Sequence, residues 1–327
     1  MSESALHPVL ETGISLRPTG WRSVRSGFIS FMLRKRLGAL GLIIALFFIL
    51  LAVFATVLGR YDPDQIFQAP NPDYKSDPSI SDLAKNQNVG SPDIVAQYES
   101  PSVTHWFGTD KFGRDIYSRI VHGAGLSLTV GFGASIIAVV FGLLFGVPSG
   151  FYRGWLDLIL QRFIDALQAF PALVLLLLLV QIAEPSVRNV VLALGIIGIP
   201  TTTRLTRAAV LGVGARDYVA AARAAGATDV RIMIHHILPN IAAVLVISFS
   251  IGIGAYILFE ATISFLGVGP SNVVSWGKMV QEGRAAIDIH PWLSVFAGLA
   301  IASLVVAFNF LGDALRDEFD PRLRGNR

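Results

Sequence analysis

The sequence predicts an all-α membrane protein of six transmembrane helices, with an irregular extracytoplasmic insert between spans one and two. Its 327 residues are 53% hydrophobic and only 15% charged, and the mean hydropathy is +0.60, too apolar for an ordinary soluble domain. Six segments approach the roughly 20 apolar residues that a helix rising 1.5 Å per residue needs to cross a core of about 30 Å. Lys and Arg, moreover, gather in alternate connections between those segments. That pattern is how a multi-pass chain sets its orientation.

The first span, Leu37–Gly59, is an unbroken uncharged run. A long preceding arm, residues 1–36, the flank "RKR" at Arg34–Arg36 and the lack of a small-residue cleavage site make it a retained anchor, not a signal peptide. An extracytoplasmic segment, 60–123, follows. Its first half, "YDPDQIFQAPNPDYKSDPSISDLAKNQNVGSPD", is dense in turn formers and reads as irregular, with one short helix at Ile80–Asn86. Its second half carries turn glycines Gly108 and Gly113, and Asp115 is placed to cap a helix leading into span two.

Five more spans form a core over residues 124–313. Gly123–Tyr152 lacks Asp, Glu, Lys and Arg, and its Gly142, Gly146 and Gly150 form a small-residue ladder suited to close helix packing. Ile164–Ala183 holds Asp165 and Pro171 near one end, and the proline predicts a kink that opens room at the bundle axis. Asn189–Leu211 is interrupted by Arg204 and Arg207, Ile241–Leu266 carries Glu260, and Leu293–Gly312 is clean. With the N-terminus inside, residues 1–36, 151–163, 204–240 and 313–327 face the cytoplasm and hold 17 of the 26 Lys and Arg residues. Both termini, including the tail 314–327, are then cytoplasmic, and Arg204 and Arg207 can snorkel to the interface.

Between spans four and five, within a cytoplasmic loop at 212–240, lies "DYVAAARAAGATDVRIMIHHILPN", Asp217–Asn240. Tyr218, Ala221, Ala222 and Ala225 recur at i, i+3, i+4 and i+7, a narrow stripe of mostly small side chains. Gly226 interrupts it, with Thr228 or Asp229 capping a second stripe, Val230, Met233, Ile234 and Ile237, that runs to Pro239. Two short helices meeting at a glycine can pack one stripe on the bundle and offer the other to a partner. Spacing alone equally allows a simple helical connector.

The segment "YVAAARAAGATDVRIMIHHILPN" resembles the cytoplasmic "EAA" loop of ATP-binding-cassette importer permeases. Ala221, Ala222, Gly226, Leu238 and Pro239 fit that pattern, while Ala220 stands where the family usually has glutamate. The stretches "FGTDKFGRDIYSRIVHGAGLSL", "DALQAFPALVLLLLLV", "FEATISFLGVG", "SWGKMVQEGR", "HPWLSVFAGLAI" and "FNFLGDALRDEFDPRLR" are similar to the C-type membrane subunit of dipeptide, oligopeptide and nickel importers, over about 104–324 plus the first span. Gly125 and Trp106 depart from it, where relatives often have arginine and proline. The resemblance implies a type I importer permease fold in the inner (plasma) membrane. Its implied partners are a homologous second permease, cytoplasmic ATPases and an extracytoplasmic substrate-binding protein, besides membrane lipid, with neither cofactor nor nucleic acid. Tyr218, Ala221, Ala222, Arg223, Ala225, Gly226 and Asp229 would then dock on an ATPase, with Arg223, Asp229 and Arg231 as polar rim. Short peptides are the expected cargo, nickel or another peptide-like solute the alternative.

Glu260, too costly to ionise against lipid, faces protein or a water-filled path, either hydrogen-bonded structurally or touching the passing solute; with Pro171 it is assigned to the path. Asp165 reads as solvated or paired with Arg162, and the tail as a helix end in which Asp313, Arg316 and Asp317 stand at helical spacings. His235 and His236, adjacent and about 100° apart on a helix, do not jointly grip a metal. The absence of cysteine excludes disulfides, thiolate metal sites and cysteine nucleophiles. No G-x-x-x-x-G-K-[ST] or H-E-x-x-H occurs, and "GK" at Gly277 and Lys278 lacks the upstream glycine, so the chain is read as no enzyme. An ion-coupled secondary transporter, the reading from another class, would need ionisable groups spread through the spans.

Overall fold

The computed structural model describes residues 35–74 and 92–319. The helix expected at Ile80–Asn86 and most of the N-terminal arm lie outside them. Apolar spans become helices because a chain in hydrocarbon must satisfy each backbone N–H and C=O internally. The helices are α1 (Arg36–Val53), α2 (Ala55–Leu58), α3 (Ile116–Tyr152), α4 (Gly154–Gln168), α5 (Ala172–Ile182), α6 (Val187–Gly214), α7 (Asp217–Ala224), α8 (Asp229–Ile232), α9 (Leu238–Phe265), α10 (Trp276–Gly283) and α11 (Trp292–Phe319). Among the described residues, five helical stretches are long and apolar enough to cross a membrane, namely α1, α3, α6, α8 running into α9, and α11. The pair α4 and α5 makes a sixth when taken together.

That pair corrects one expectation. Pro171 does not kink a continuous third span; α4 and α5 meet at 83° across a break, with Pro171 preceding the first residue of α5 in an extended conformation. A proline lacks the N–H that a helix interior needs and its ring pushes the preceding residue out of the α region, so the helix ends before it and restarts after it. Asp115 caps α3 as its position predicts, accepting from Ser118 N and Ser118 Oγ at 2.8 Å each. The helix therefore begins seven residues before Gly123, the expected start of the span.

Helix α3 is the central post. Its glycine ladder meets α6 closely: a Cβ on Gly142 or Gly146 would lie 2.6 Å from Thr202 Cβ or Thr206 Cβ, and one on Gly150 2.9 Å from Val210 Cβ. No side chain larger than hydrogen fits there, so the backbones touch. A second apolar cluster joins α1, α3, α9, α10 and α11, with fully buried Trp276 donating its indole N–H to Ile120 O at 2.9 Å. Among its described residues the insert is irregular except for a two-stranded ribbon of three residues a side, Gln68–Pro70 antiparallel to Asp93–Val95 with Ala69 opposite Ile94. Gly108 and Gly113 turn there at φ of 79° and 73°. Buried Asp110 holds Arg114, whose guanidinium also donates to Glu282 at 2.8 Å, and so the insert is clamped to α10.

At the opposite end of the bundle the tail of α11 is fastened differently from its sequence pattern. Asp317 pairs with Lys35 at 2.6 Å, ahead of α1, instead of along its own helix.

Candidate functional site

The segment between α6 and α9 projects from one end of the bundle. Helix α7 ends at Ala224, and two residues on stands Gly226, whose φ of +82° lies in the left-handed region that a side chain disfavours. The chain then turns, and Thr228, not Asp229, caps α8 by accepting from Arg231 N at 3.4 Å. The second helix is not a separate element stopping at Pro239. It continues through a π-helical turn, Met233–Ile237, directly into α9, with Pro239 in the first turn of α9. The wider turn shifts the hydrogen-bond register, and a first-turn proline needs no N–H, so the ring is accommodated.

Burial sorts the predicted residues into two faces. Val219, Ile232 and Ile237 are buried against Val210, Ile241 and Leu245, with Ala222 and Ala227 packed at the edge of the same cluster. Tyr218, Ala221, Arg223, Ala225, Gly226 and Asp229 are exposed. Ala222 thus belongs mainly to the bundle side, and the remaining members of the alanine stripe form an outward face. The Arg223 guanidinium carbon sits 5.4 Å from the Phe151 ring centroid, so its head leans on the end of α3. Val230 and Ile234 are exposed, 57% and 52%, and His235 is exposed beside them. Ile237 belongs to the second sequence stripe, but the anchors Val219 and Ile232 were missed by a strict 3.6-residue spacing. The signal for Ile232 is the series Ile232, Ile237, Ile241, Leu245, in which one step of five among steps of four marks the π-turn.

A cavity of about 1120 Å³ opens between α3, the α4–α5 break, α6 and α9. Pro171 borders it. Apolar side chains dominate the lining, with neutral polar groups from Ser135, Gln168, Thr202 and Tyr256, and among the described residues Arg316 of α11 is its one charged side chain. Glu260 lies outside the lining, fully buried between α9 and α10. Its Oε1 accepts from Ser264 Oγ at 2.7 Å and Ser275 Oγ at 2.9 Å. Of its two sequence readings, the geometry matches the hydrogen-bonding one. Asp165, read as an Arg162 partner, lies 4.0 Å from Arg162 but 2.5 Å from Arg204.

Six apolar spans around a large cavity, with an exposed helical elbow on one end, define a membrane-embedded transport subunit. The chain belongs to the family described as "Binding-protein-dependent transport system inner membrane component", which matches residues 138–325. The "N-terminal TM domain of oligopeptide transport permease C" matches residues 28–78. Among curated relatives, the "Dipeptide transport system permease protein DppC" of Alkalihalophilus pseudofirmus is 37% identical over 89% of this chain and 88% of its own length. The "Glutathione transport system permease protein GsiD" of Escherichia coli O6:K15:H31 is 38% identical over 92% of this chain and 93% of its own. A solved structure of the MetNI methionine ABC transporter, inward facing, shares the fold at a TM-score of 0.54 and 19% identity, covering 62% of this chain and 96% of that one. The chain is accordingly a multi-pass inner-membrane permease subunit of an ATP-binding-cassette importer.

Proposed function

We propose that this permease subunit imports short peptides, lining half of the path and receiving motion from a cytoplasmic ATPase through the α7–α8 elbow. The carrying observation is the two-faced elbow. Val219, Ile232 and Ile237 fix it to the bundle while Tyr218, Ala221, Arg223, Ala225, Gly226 and Asp229 remain outward. Small outward side chains let a partner's backbone approach closely and lose little side-chain entropy on docking. Arg223 and Asp229 add polar contacts at the rim.

A second, homologous permease subunit would close the open side of the cavity, and a binding protein would deliver solute at the insert end. The basic residues near α4, α6 and the elbow support a cytoplasmic location for both termini and the elbow. A broad, largely apolar cavity edged by neutral hydrogen-bonding groups suits amide-containing solutes of varied side chain. Dipeptide and glutathione carriage by the relatives supports the same cargo class. Pro171 then edges the path, and Glu260 holds α9 to the α10 segment.

The test is uptake by vesicles containing the full assembly. Labelled di- or tripeptide should enter with ATP and be insensitive to an uncoupler. Uptake that follows a proton gradient without ATP would overturn the coupling reading, and ATP-driven uptake of nickel with no peptide uptake would overturn the cargo.

A further inference from the structure

We propose that Arg204 and Arg207 latch the elbow-bearing end of α6 to α4, so that motion of the elbow swings α4 about the Pro171 break and moves the cavity wall. This inference rests on the transport reading above and names the route by which motion reaches the path.

Helix α4 is weakly held by apolar contact. Ile164 is its one buried residue, while Trp155, Leu158, Ile159 and Phe163 are all more than half exposed. Polar fastenings take over. Arg207 grips Asp157 with two parallel bonds, Nε to Oδ1 at 2.7 Å and a terminal nitrogen to Oδ2 at 2.6 Å. Ser149 of α3 donates to the same Asp157 at 2.5 Å, and Gln161 of α4 donates to Ser149 at 3.0 Å. Arg204 holds Asp165 at 2.5 Å. Forked guanidinium–carboxylate pairs fix orientation as well as distance.

The spacing makes two anchors instead of one. Asp157 and Asp165 are eight residues apart, about 12 Å along α4, whereas Arg204 and Arg207 are three apart, about 4.5 Å along α6. The guanidinia therefore reach in opposite directions along α4, and sliding or swivelling α4 against α6 would stretch one pair or the other. The Arg207–Asp157 pair is the more shielded of the two, its side chains 33% and 15% exposed, whereas those of Arg204 and Asp165 are nearly half exposed, so the Asp157 fastening is the firmer anchor. Beyond Asp165 the same helix delivers Leu167 and Gln168 to the cavity, followed by Phe170 and Pro171 at the break. Leu205 of α6, next to Arg204, lines the cavity from the other side. The elbow follows Gly214, the last residue of α6, so a displacement applied there has a rigid path to the cavity rim.

The test uses the complete transporter in vesicles, with ATP hydrolysis, peptide uptake and subunit assembly read together. Asp157→Asn should lower peptide taken up per ATP hydrolysed by roughly tenfold, within the range of coupling between sites, while assembly and hydrolysis persist. The exchange Asp157→Arg with Arg207→Asp should recover the ratio. An unchanged ratio in Asp157→Asn, or a loss of uptake and hydrolysis in step with lost assembly, would overturn the latch in favour of no role or a purely local folding role. As a second arm, Asp157→Cys with Arg207→Cys, in this cysteine-free chain, should be uncoupled when reduced and recoupled by a short thiol-to-thiol cross-linker. Uptake blocked by that bridge would mean the helices must slide, against the proposal. Absence of ATP-driven peptide uptake in the unaltered transporter would sink the transport reading itself.

Discussion

Gly226 and Glu260 show how single positions act here through opposite constraints. A Cβ on Gly226 would meet nothing within 4 Å, so the constraint at that site is its φ of +82° alone. Gly226→Asn should therefore keep coupling near normal, since Asn visits the left-handed region readily. Gly226→Val, at a cost on the order of 1–3 kcal/mol, should distort the elbow and lower peptide uptake per ATP, with membrane insertion retained; equal coupling in both variants would refute the argument. Glu260 is constrained by partners instead. Glu260→Gln preserves an acceptor for Ser264 and Ser275, whereas Glu260→Ala strands both hydroxyls in a buried site. The alanine variant should lose on the order of 2 kcal/mol, read as a lower thermal midpoint in detergent, with the glutamine variant close to the parent.

At the scale of elements, the seam between α3 and α6 is held close over the three glycines Gly142, Gly146 and Gly150. Gly146→Val would drive a branched side chain into Thr206 and the Thr203 carbonyl, each within 3 Å of the added Cβ. Overpacking of this kind costs about 1–3 kcal/mol, and it should separate α6 from α3 just above the elbow. Faster proteolysis within 215–228 of purified Gly146→Val, compared with Gly125→Ala on the same helix, where an added Cβ meets nothing within 4 Å, is the expected signature. Gly41 brings α1 onto α11, and Gly277 brings α10 onto α9, just as closely. The α4–α5 break, with its exposed aromatic and aliphatic side chains, is the element most free to respond when the elbow moves.

For the whole molecule, orientation is the property with the plainest test. A cysteine at Val103, which is 88% exposed on the insert, should react in intact cells with a membrane-impermeant thiol reagent. One at Val230, on the elbow, should react only after permeabilisation, and the reverse pattern would invert the topology. A cysteine at Ala221 should also cross-link to an ATPase subunit in the assembled transporter; capture of lipid alone would return the elbow to a mere connector.

Much of this protein was legible in the linear chain because hydrophobicity and turn chemistry are local. Runs such as Leu37–Gly59 and Leu293–Gly312 announce helices wherever they fold, Asp115 announces a cap, and Gly226 announces a turn. The elbow's membership in a family pattern was equally plain from Ala221, Ala222, Gly226, Leu238 and Pro239. What tertiary structure alone decided is which partner each polar or curved element meets. Pro171 became a break because α4 turns away by 83°; Pro239 was absorbed because a π-turn preceded it; Ala222 turned inward with Val219. Glu260 found Ser275 fifteen residues on, and Asp157 found Arg207 fifty residues on. Such pairings depend on distances through space, which a charge or a spacing in one dimension does not encode.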